Sequence, residues 1–466
     1  MKNLNLILAV MMALVMQVAT AQTQLWGTCM NGGSRDSGTI FMTDGNGNNF
    51  HSIYSFNKTT GSIPLGTLCL APNGKLYGVT RNGGCDDSCV VYSYNPVTGI
   101  FNNFHDLFCD DIHGWKANSG MMLAADGNLY GLCSGGGVND KGVIYKVDPS
   151  TDTYTDIYDF DTANVGPQGT LIQLSDGKLY GYTNGNGTQN FGTLFSFDIS
   201  TSVFTRLHSL YYLTGDWPNY GGLLMATDNK LYGVTSGGGA NLRGVIFSYD
   251  LSTDTYNDIH DFDSIGGYNP NCIMIQATDG KLYGVTSSGG ASIYFGVIFS
   301  YDISTHNYTV LHNFDGTFGS YPARSLMQAS NGKLYGMTNR GGTNNIGVFY
   351  SFDISSNTYS VVMNLDSAIG ANPDCDIIET PWITGIPSIP TPSPLTISPN
   401  PASQTLNITY NSIAQLIITD MMGNKIYSQP ITTINNSIDV SKWSKGVYFV
   451  QLRSERENLV KKLVID

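Results

Sequence analysis

Seven histidines are the first candidates for proton-transfer chemistry, because histidine titrates close to neutral pH. Four of them occupy one position of a repeat of about 51 residues: His105, His208, His260 and His312. A catalytic centre needs a single site, whereas these four residues belong to four different repeats. We therefore predict a structural role for them, which leaves His113 as the histidine that lies outside the repeat pattern.

Acid chemistry has weaker candidates. The sequence contains no Gly-x-Ser-x-Gly elbow, no His-Glu-x-x-His motif and no phosphate loop. Hydrolysis of a glycosidic bond by paired acids needs two carboxyl groups about 5–10 Å apart. In the repeat fold predicted below, the first strand-like segment of each repeat would line the centre. These segments are apolar, and the clear charges beside them are Arg324 and Asp376. Because these segments supply no acid pair, we predict no catalytic residue and no cofactor.

Eight cysteines offer disulfide or metal chemistry. Residues 1–21 have the pattern of a signal peptide, and an exported chain meets an oxidising compartment where disulfides usually form. We predict three candidate pairs: Cys85 with Cys89, Cys109 with Cys133, and Cys29 with Cys375. The alternative is zinc, because Cys85, Cys89, Cys109 and His113 have a zinc-like spacing. We favour disulfides and predict no metal site.

The repeat that positions these residues has the signature Gly-Lys-Leu-Tyr-Gly-Val-Thr. Its aromatic residue recurs seven times: Trp26, Tyr77, Tyr130, Tyr180, Tyr232, Tyr283 and Tyr335. Each repeat contains four strand-like segments, a to d, and an Asp-Gly hairpin signal separates a from b. Four antiparallel strands in about 50 residues are typical of a β-propeller blade. We predict an all-β fold in which residues 22–380 form a seven-bladed β-propeller.

The two ends of the repeat region complete each other. The first b segment has no a segment before it, and a last a segment, residues 372–379, has no b segment after it. We predict that this C-terminal strand pairs with the N-terminal hairpin and closes the ring. Cys29 and Cys375 would then face each other as Thr286 and Cys272 do in an intact repeat. Whether the two cysteine side chains lie on the same face of the sheet depends on a difference of one residue in the length of the a–b turn.

Two family resemblances follow from these motifs. Leu-Tyr-Gly-x-Thr-x-x-Gly-Gly followed by Gly-Val-Ile-Phe-Ser-Tyr-Asp resembles the Gloeo-Verruco tandem repeat, which implies no particular reaction. Residues 381–395 are predicted to form a proline-rich linker. Residues 396–466 resemble the type A C-terminal sorting domain of the type IX secretion system, and we predict a small β-sandwich there. The matching segments are 398–401, 418–425, 438–441, 446–448 and 461–464.

Export is the clearest prediction about location. Lys2, the apolar run at 6–15 and the small residues at 19–21 form a signal peptide, and no later stretch is apolar enough for a transmembrane helix. The sorting-domain resemblance implies the type IX secretion machinery as partner, passage through the periplasm, and release or attachment to the outer-membrane surface. Residues 22–391 hold 15 basic and 31 acidic residues, a balance that argues against nucleic acid as a partner.

The candidate binding residues are aromatic. Five of them lie in the d–a loops, which share one face of a propeller with the b–c loops: Trp115, Trp217, Tyr220, Tyr268 and Tyr321. Exposed rings suit stacking against sugars, although the recurring Gly-x-x-Pro beside them is also consistent with packing of the blade entrances. We predict a non-catalytic binding module for glycan or surface protein. The alternative is a secreted polysaccharide-degrading enzyme, which the export route also fits.

Overall fold

The computed structural model describes residues 23–84, 89–107, 113–187, 190–218, 221–381, 395–410, 414–421, 424–431, 435–453 and 458–466. The chain divides into two compact units, residues 1–385 and 386–466. The described ranges contain no helix that is long and apolar enough to cross a membrane. The predicted signal peptide, most of the predicted linker, Cys85, Cys109 and Tyr220 lie outside these ranges.

The first unit is built from strands β1 to β30. The first ten are β1 (Thr23–Cys29), β2 (Thr39–Asp44), β3 (His51–Ser55), β4 (Ser62–Leu70), β5 (Leu76–Asn82), β6 (Val90–Asn95), β7 (Ile100–Asp106), β8 (Gly114–Trp115), β9 (Met122–Leu123) and β10 (Leu129–Cys133). The next ten are β11 (Gly135–Gly136), β12 (Val143–Asp148), β13 (Thr153–Asp159), β14 (Asn164–Gln173), β15 (Leu179–Asn186), β16 (Thr193–Asp198), β17 (Val203–Ser209), β18 (Leu224–Met225), β19 (Leu231–Thr235) and β20 (Val245–Asp250). The last ten are β21 (Thr255–Asp261), β22 (Ile275–Gln276), β23 (Leu282–Thr286), β24 (Val297–Asp302), β25 (Asn307–Asn313), β26 (Ser320–Gln328), β27 (Leu334–Arg340), β28 (Val348–Asp353), β29 (Thr358–Asn364) and β30 (Ile378–Pro381).

These strands form seven four-stranded antiparallel sheets within the described residues, together with a short pairing of β8 with β11. From the inner to the outer strand, sheet 1 is β30-β1-β2-β3, sheet 2 is β4-β5-β6-β7, and sheet 3 is β9-β10-β12-β13. Sheets 4 to 7 are β14-β15-β16-β17, β18-β19-β20-β21, β22-β23-β24-β25 and β26-β27-β28-β29. Each sheet therefore has the order of the predicted segments a, b, c and d.

The repeat signature sets both the turn and the register of each a–b hairpin, as sheet 6 illustrates. Gly280 has a φ of +83°, a conformation that glycine adopts without steric cost. The carboxylate of Asp279 accepts hydrogen bonds from the Lys281 amide at 3.2 Å and from the Tyr283 hydroxyl at 2.7 Å. Tyr283 then lies opposite Ile275 on β22. The signature residues thus determine how the strands of the hairpin align.

The first sheet joins the two ends of the repeat region. β30 pairs with β1, and Trp26 lies opposite Ile378. The last inner strand therefore completes the first sheet, which confirms the predicted closing strand. This pairing covers the strand edge that β1 would otherwise expose.

Hydrogen bonds also join neighbouring inner strands around the centre of the ring. The carboxylate of Asp376, beside β30, accepts from the Thr67 hydroxyl on β4 and from the Ser325 amide on β26 at 2.8 Å. The Ser325 hydroxyl in turn accepts from the Ile273 amide at 2.8 Å. Two further contacts join sheets 3, 4 and 5: Ser119 to Gly169 at 2.7 Å, and Thr170 to Gly221 at 3.3 Å. The arrangement is the predicted all-β propeller.

A ladder of stacked rings packs neighbouring sheets together near their outer strands. His312 stacks on Tyr359 with centroids 3.9 Å apart, and Tyr54 stacks in the same way on Phe101 at 4.3 Å. His105, His208 and His260 form equivalent contacts with rings of the next sheet. Burial lowers the pKa of His312 to about 4, so that this ring packs in its neutral form at neutral pH. The predicted structural role of the four histidines is confirmed.

Among the described residues, none of the predicted disulfides is found. Six described cysteines are free thiols: Cys29, Cys69, Cys89, Cys133, Cys272 and Cys375. The prediction of a Cys29–Cys375 disulfide is therefore wrong. Cys89 and Cys133 are free as well, while their predicted partners Cys85 and Cys109 lie outside the described residues.

Main-chain hydrogen bonding explains why the closing strand carries a free thiol. The Cys375 thiol donates to the Thr28 carbonyl at 2.9 Å and accepts from the Thr28 amide at 3.2 Å. Cys272, at the same repeat position, makes a corresponding bond to the main chain of Val285. Burial raises the pKa of both thiols to about 12. A cysteine at this position thus binds the adjoining strand instead of a second sulfur.

The second unit contains β31 (Leu395–Ser398), β32 (Thr405–Tyr410), β33 (Ala414–Asp420), β34 (Lys425–Ile431), β35 (Asn435–Asp439), β36 (Gly446–Arg453) and β37 (Asn458–Ile465). They form two antiparallel sheets, β31-β32-β35 and β34-β33-β36-β37. Alternate residues of each strand, such as Leu416 and Ile418, point into one core that also contains Ile408 and Val450. The unit is a small β-sandwich.

Candidate functional site

A buried arginine occupies the centre of the ring. Arg324 on β26 is 6% exposed and has a φ of +39°, at a position where β4 and β14 have Gly66 and Gly169. Its Nε donates to the Asp374 carbonyl at 3.0 Å, and its Nη2 donates to the Asn118 carbonyl at 2.9 Å. Because Asn118 precedes β9 of sheet 3, the guanidinium extends from sheet 7 across the centre.

Two carboxylates keep this arginine charged. The Arg324 Nε lies 3.3 Å from the Asp374 carboxylate, and Asp376 is also close. Burial alone lowers the pKa of Arg324, but Asp374 and Asp376 outweigh that effect and raise it. The two charges that the sequence analysis singled out, Arg324 and Asp376, therefore join the inner strands. Their bonds are made to other parts of the chain, so we assign them a structural role.

The predicted aromatic residues fall at two adjacent positions before the inner strands. Trp115 and Tyr268 share one position and are half-buried, whereas Trp217 and Tyr321 share the next one. Trp217 and Tyr321 have φ values of +50° and +52° and are 56% and 37% exposed. The four residues lie at the same end of their sheets but on four different sheets. Tyr220 lies outside the described residues.

Trp115 is held by the short β8–β11 pairing. It lies opposite Gly135, where an added methyl carbon would come within 2.6 Å of the indole, so this glycine is needed for the ring to lie flat. The indole Nε1 donates to the Asp140 carboxylate at 3.2 Å. The Lys116 ammonium lies 4.2 Å from the ring centroid, a cation–π contact. One side of the indole is thus covered by main chain and another by a movable side chain.

A cavity of about 390 Å³ opens beside this tryptophan, between sheets 3 and 4. Its lining contains the residues around the indole and parts of β14 and β15. The lining residues are Trp115, Lys116, Ser134, Gly135, Asp140, Lys141, Val165, Gly166, Gln168, Asn184 and Gly185. This size and mixture of one aromatic ring with a few polar groups are typical of small-molecule sites.

Two residues of the cavity lining have side-chain oxygens without hydrogen-bond partners. The side-chain oxygens of Gln168 and Asn184 are buried and make no hydrogen bond to any described residue. At the repeat position of Asn184, the Ser287 hydroxyl donates to the Asn269 carbonyl at 2.9 Å, and the Asn339 amide donates to the Pro373 carbonyl at 3.2 Å. A buried polar atom without a partner costs about 1–3 kcal/mol. Both oxygens are closed to solvent, so they do not face the open part of the cavity.

The charges around the cavity are unbalanced. Among the described lining residues, Lys116 and Lys141 occur with a single carboxylate, Asp140. The Gly136 amide, 3.1 Å away, and the Trp115 indole lower the pKa of Asp140, and both lysines contribute. Asp140 therefore stays ionised and is already hydrogen-bonded. None of these residues was singled out from the sequence, because lysines, amides and single acids have no motif.

His113, the histidine outside the repeat, lies near the outer strands. Its Nδ1 is 2.8 Å from Asp156 on β13, and the same carboxylate accepts the Tyr154 hydroxyl at 2.6 Å. Its proposed zinc partners Cys85 and Cys109 lie outside the described residues. Across the ranges that are described, no three His, Cys, Asp or Glu side chains converge as a metal site.

The architecture resembles known propellers. A periplasmic gluconolactonase from Pseudomonas aeruginosa has a TM-score of 0.52 and 15% identity over 77% of this chain and 99% of its own. Two candidate 6-phosphogluconolactonases, from Bacteroides fragilis and Bacteroides uniformis, have TM-scores of 0.54 and 0.51. Their identities are 11% and 13%, over 78% and 77% of this chain and 99% of theirs. At such identities the likeness shows the fold alone.

Family comparisons identify both parts of the chain. No curated protein matches it in sequence. A secretion system C-terminal sorting domain matches residues 396–466. The Gloeobacter/Verrucomicrobia repeat matches residues 15–224 and 207–382. With more than half of its length matched, the chain belongs to the Gloeobacter/Verrucomicrobia repeat family.

Proposed function

We propose that this protein is a non-catalytic binding module that holds a saccharide in the cavity beside Trp115. The sorting domain indicates a secreted or cell-surface protein, for which extracellular glycans are available ligands. We also propose that it reaches the outer membrane through the periplasm, as its N-terminal signal implies.

The observation that carries this proposal is the cavity beside the Trp115 indole, whose lining includes the amide side chains of Gln168 and Asn184. An amide side chain both donates and accepts hydrogen bonds, and the hydroxyl groups of a sugar can match it in either sense. The neighbouring indole of Trp115 provides an apolar surface on which the carbon face of a sugar ring can stack. The cavity of about 390 Å³ has room for a ring or two, by comparison with typical ligand sites of about 300–1,000 Å³.

Catalysis by paired acids finds less support at this site. Among the described lining residues, Asp140 is the single carboxylate, and it is hydrogen-bonded to Trp115 and Gly136. Glycoside hydrolysis by this route needs a second carboxyl group on the other side of the scissile bond. We therefore favour binding over the polysaccharide-degrading alternative.

A glycan array probed with the purified full-length protein tests the proposal. We expect Trp115→Ala and Gln168→Leu to weaken binding about tenfold or more, because each removes a contact to the ligand. Trp217→Ala is the matched control, since this exposed tryptophan precedes sheet 5 and is not among the residues that line the cavity, and the variant should bind as the wild type does.

Three results would contradict the proposal. The first is an array to which no glycan binds. The second is an equal loss of glycan binding in the Trp115 and Trp217 variants. The third is release of reducing sugar ends from a bound polysaccharide, which would indicate catalysis. Thermal unfolding of each variant separates a binding defect from a folding defect, because a packing role for Trp115 would lower the melting temperature as well.

A further inference from the structure

We infer that the saccharide bound beside Trp115 carries a carboxylate, so that the ligand is a polysaccharide containing uronic acid. This inference rests on the proposed function and specifies its ligand. It follows from the hydrogen-bonding and charge requirements of the cavity, which a neutral sugar meets only in part.

The cavity is a cationic site on an acidic protein. Residues 22–391 carry 31 acidic and 15 basic residues, yet the described residues of the cavity lining include two lysines, Lys116 and Lys141, and one acid. Distant charges are screened over about 8–10 Å at physiological salt, so a ligand in the cavity responds mainly to the two lysines. A local excess of positive charge in this setting favours an anionic group on the ligand.

The acid in the lining does not neutralise both lysines. Asp140 accepts from the Gly136 amide at 3.1 Å and from the Trp115 indole at 3.2 Å. Among the ion pairs within the described ranges, none involves Lys116 or Lys141. The ammonium of Lys116 instead rests 4.2 Å from the centroid of the indole.

The position of Lys116 suggests how a sugar ring enters. Gly135 covers part of the indole, and the Lys116 side chain covers the accessible part. A ring that stacks on Trp115 displaces the flexible lysine toward the edge of the sugar. A carboxylate at that edge gives the displaced ammonium a partner, with a charge-assisted hydrogen bond in place of the cation–π contact.

The two sets of groups together define the ligand. Gln168 and Asn184 line the cavity with amide side chains that hydroxyl groups can match, whereas Lys116 and Lys141 present donors that need anionic acceptors. A neutral sugar leaves the lysines without an anionic partner, and a simple anion has no hydroxyl groups for the amide side chains. A hexuronate unit has hydroxyl groups and a carboxylate on one ring and satisfies both.

Binding of matched acidic and neutral polymers tests the inference. The probes are polygalacturonate, its fully methyl-esterified form, polymannuronate, polyglucuronate and dextran sulfate, titrated against the full-length protein by calorimetry at two salt concentrations. We expect at least one polyuronate to bind about tenfold or more tightly than a neutral counterpart, with a preference that falls as salt rises. Lys141→Gln and Lys116→Gln should each reduce that preference, while Lys178→Gln, on the a–b turn of sheet 4, should not.

The outcomes separate the inference from the proposed function. Equal affinity for the acid and its methyl ester, with binding still lost in Trp115→Ala, overturns the inference and leaves the proposed function standing. Dextran sulfate as the preferred probe overturns the carboxylate in favour of a sulfated sugar. If no polyuronate binds, the inference fails, and if the glycan array is also empty, the proposed function fails with it. Circular dichroism of the lysine variants verifies that they are folded.

Discussion

Replacing Asp258 with asparagine should stabilise the propeller at neutral and basic pH. Asp258 on β21 lies opposite Phe247, and its buried Oδ1 makes no hydrogen bond within the described residues. Burial, with a smaller contribution from the like charge of Asp261, raises the pKa of Asp258 to about 6. A free aspartate titrates near about 4, so ionisation of this side chain opposes folding.

The expected magnitude follows from this difference in pKa. A shift of about two units corresponds to about 3 kcal/mol for a fully buried group. Asp258 is only half-buried, and solvent screening reduces the figure to about 1 kcal/mol. Because the folded-state pKa is the higher one, the penalty is absent below about pH 4, grows as pH rises through about 6, and is complete near pH 8.

Sheet 2 shows how an amide is accommodated at this position. Asn103 lies opposite Tyr92, as Asp258 lies opposite Phe247, and its Nδ2 donates to Asp106 at 2.8 Å. Asp106 corresponds to Asp261 in sheet 5. An amide at position 258 can therefore make the same bond to Asp261, which contributes about a further 1 kcal/mol.

Urea unfolding of wild type and Asp258→Asn at pH 4, 6 and 8 measures the effect. We expect the variant to be about 1–2 kcal/mol more stable at pH 8 and the pH-dependent part of the difference to disappear at pH 4. Asn103→Asp is the reciprocal control and should lose a similar amount at pH 8. A variant that is no more stable at pH 8, or a difference that is independent of pH, would refute this reasoning.

Three other outcomes are expected. Arg324→Met should lower the free energy of unfolding, measured with urea, by about 3 kcal/mol, because Asp374 and Asp376 lose their nearby cation. A loss below about 0.5 kcal/mol would contradict the structural role of Arg324. His312→Tyr should reduce the loss of folding stability that accompanies a fall in pH from about 6.5 to 4, because the lowered pKa of His312 makes protonation of its ring unfavourable in the folded state. Thermal melts in which the variant loses as much stability as the wild type over this pH range would argue against it. Deleting residues 396–466 should leave a folded propeller in the periplasm, and cell fractionation that finds the truncated chain in the medium would remove the sorting role.

The fold was predictable because every repeat contains the information for its own hairpin. Asp279 and Gly280 determine the turn, and Tyr283 hydrogen-bonds back to Asp279, so that strand register follows from adjacent residues. The closing strand was predictable for a related reason, since a segment without a partner occurs at each end of the repeat region. Local patterns that recur predict structure well when they include their own stabilising contacts.

The pairing of cysteines and the binding site needed three-dimensional information. The Cys29–Cys375 prediction depended on one residue of register, and in the structure the Cys375 thiol binds the main chain of Thr28. Asn184 and Asn339 share a repeat position, yet the Asn339 amide nitrogen donates to the Pro373 carbonyl, whereas the Asn184 side-chain oxygen has no partner among the described residues. Composition and spacing are the same for both residues, so no sequence pattern distinguishes the one that faces a cavity.

Because β1 pairs with β30, the sheet whose first strand is synthesised earliest is the last sheet to be completed. Strand β1 leaves the ribosome first, but its inner partner follows about 350 residues later, so the oldest blade is the last to be finished. Until then β1 presents an unpaired edge of the kind that invites aggregation. The same geometry limits proteolytic processing: a cut on the C-terminal side of Pro381 leaves the ring intact, whereas a cut before Ile378 detaches the strand that seals it. A closed ring is thus a property that only a chain extending through β30 can acquire.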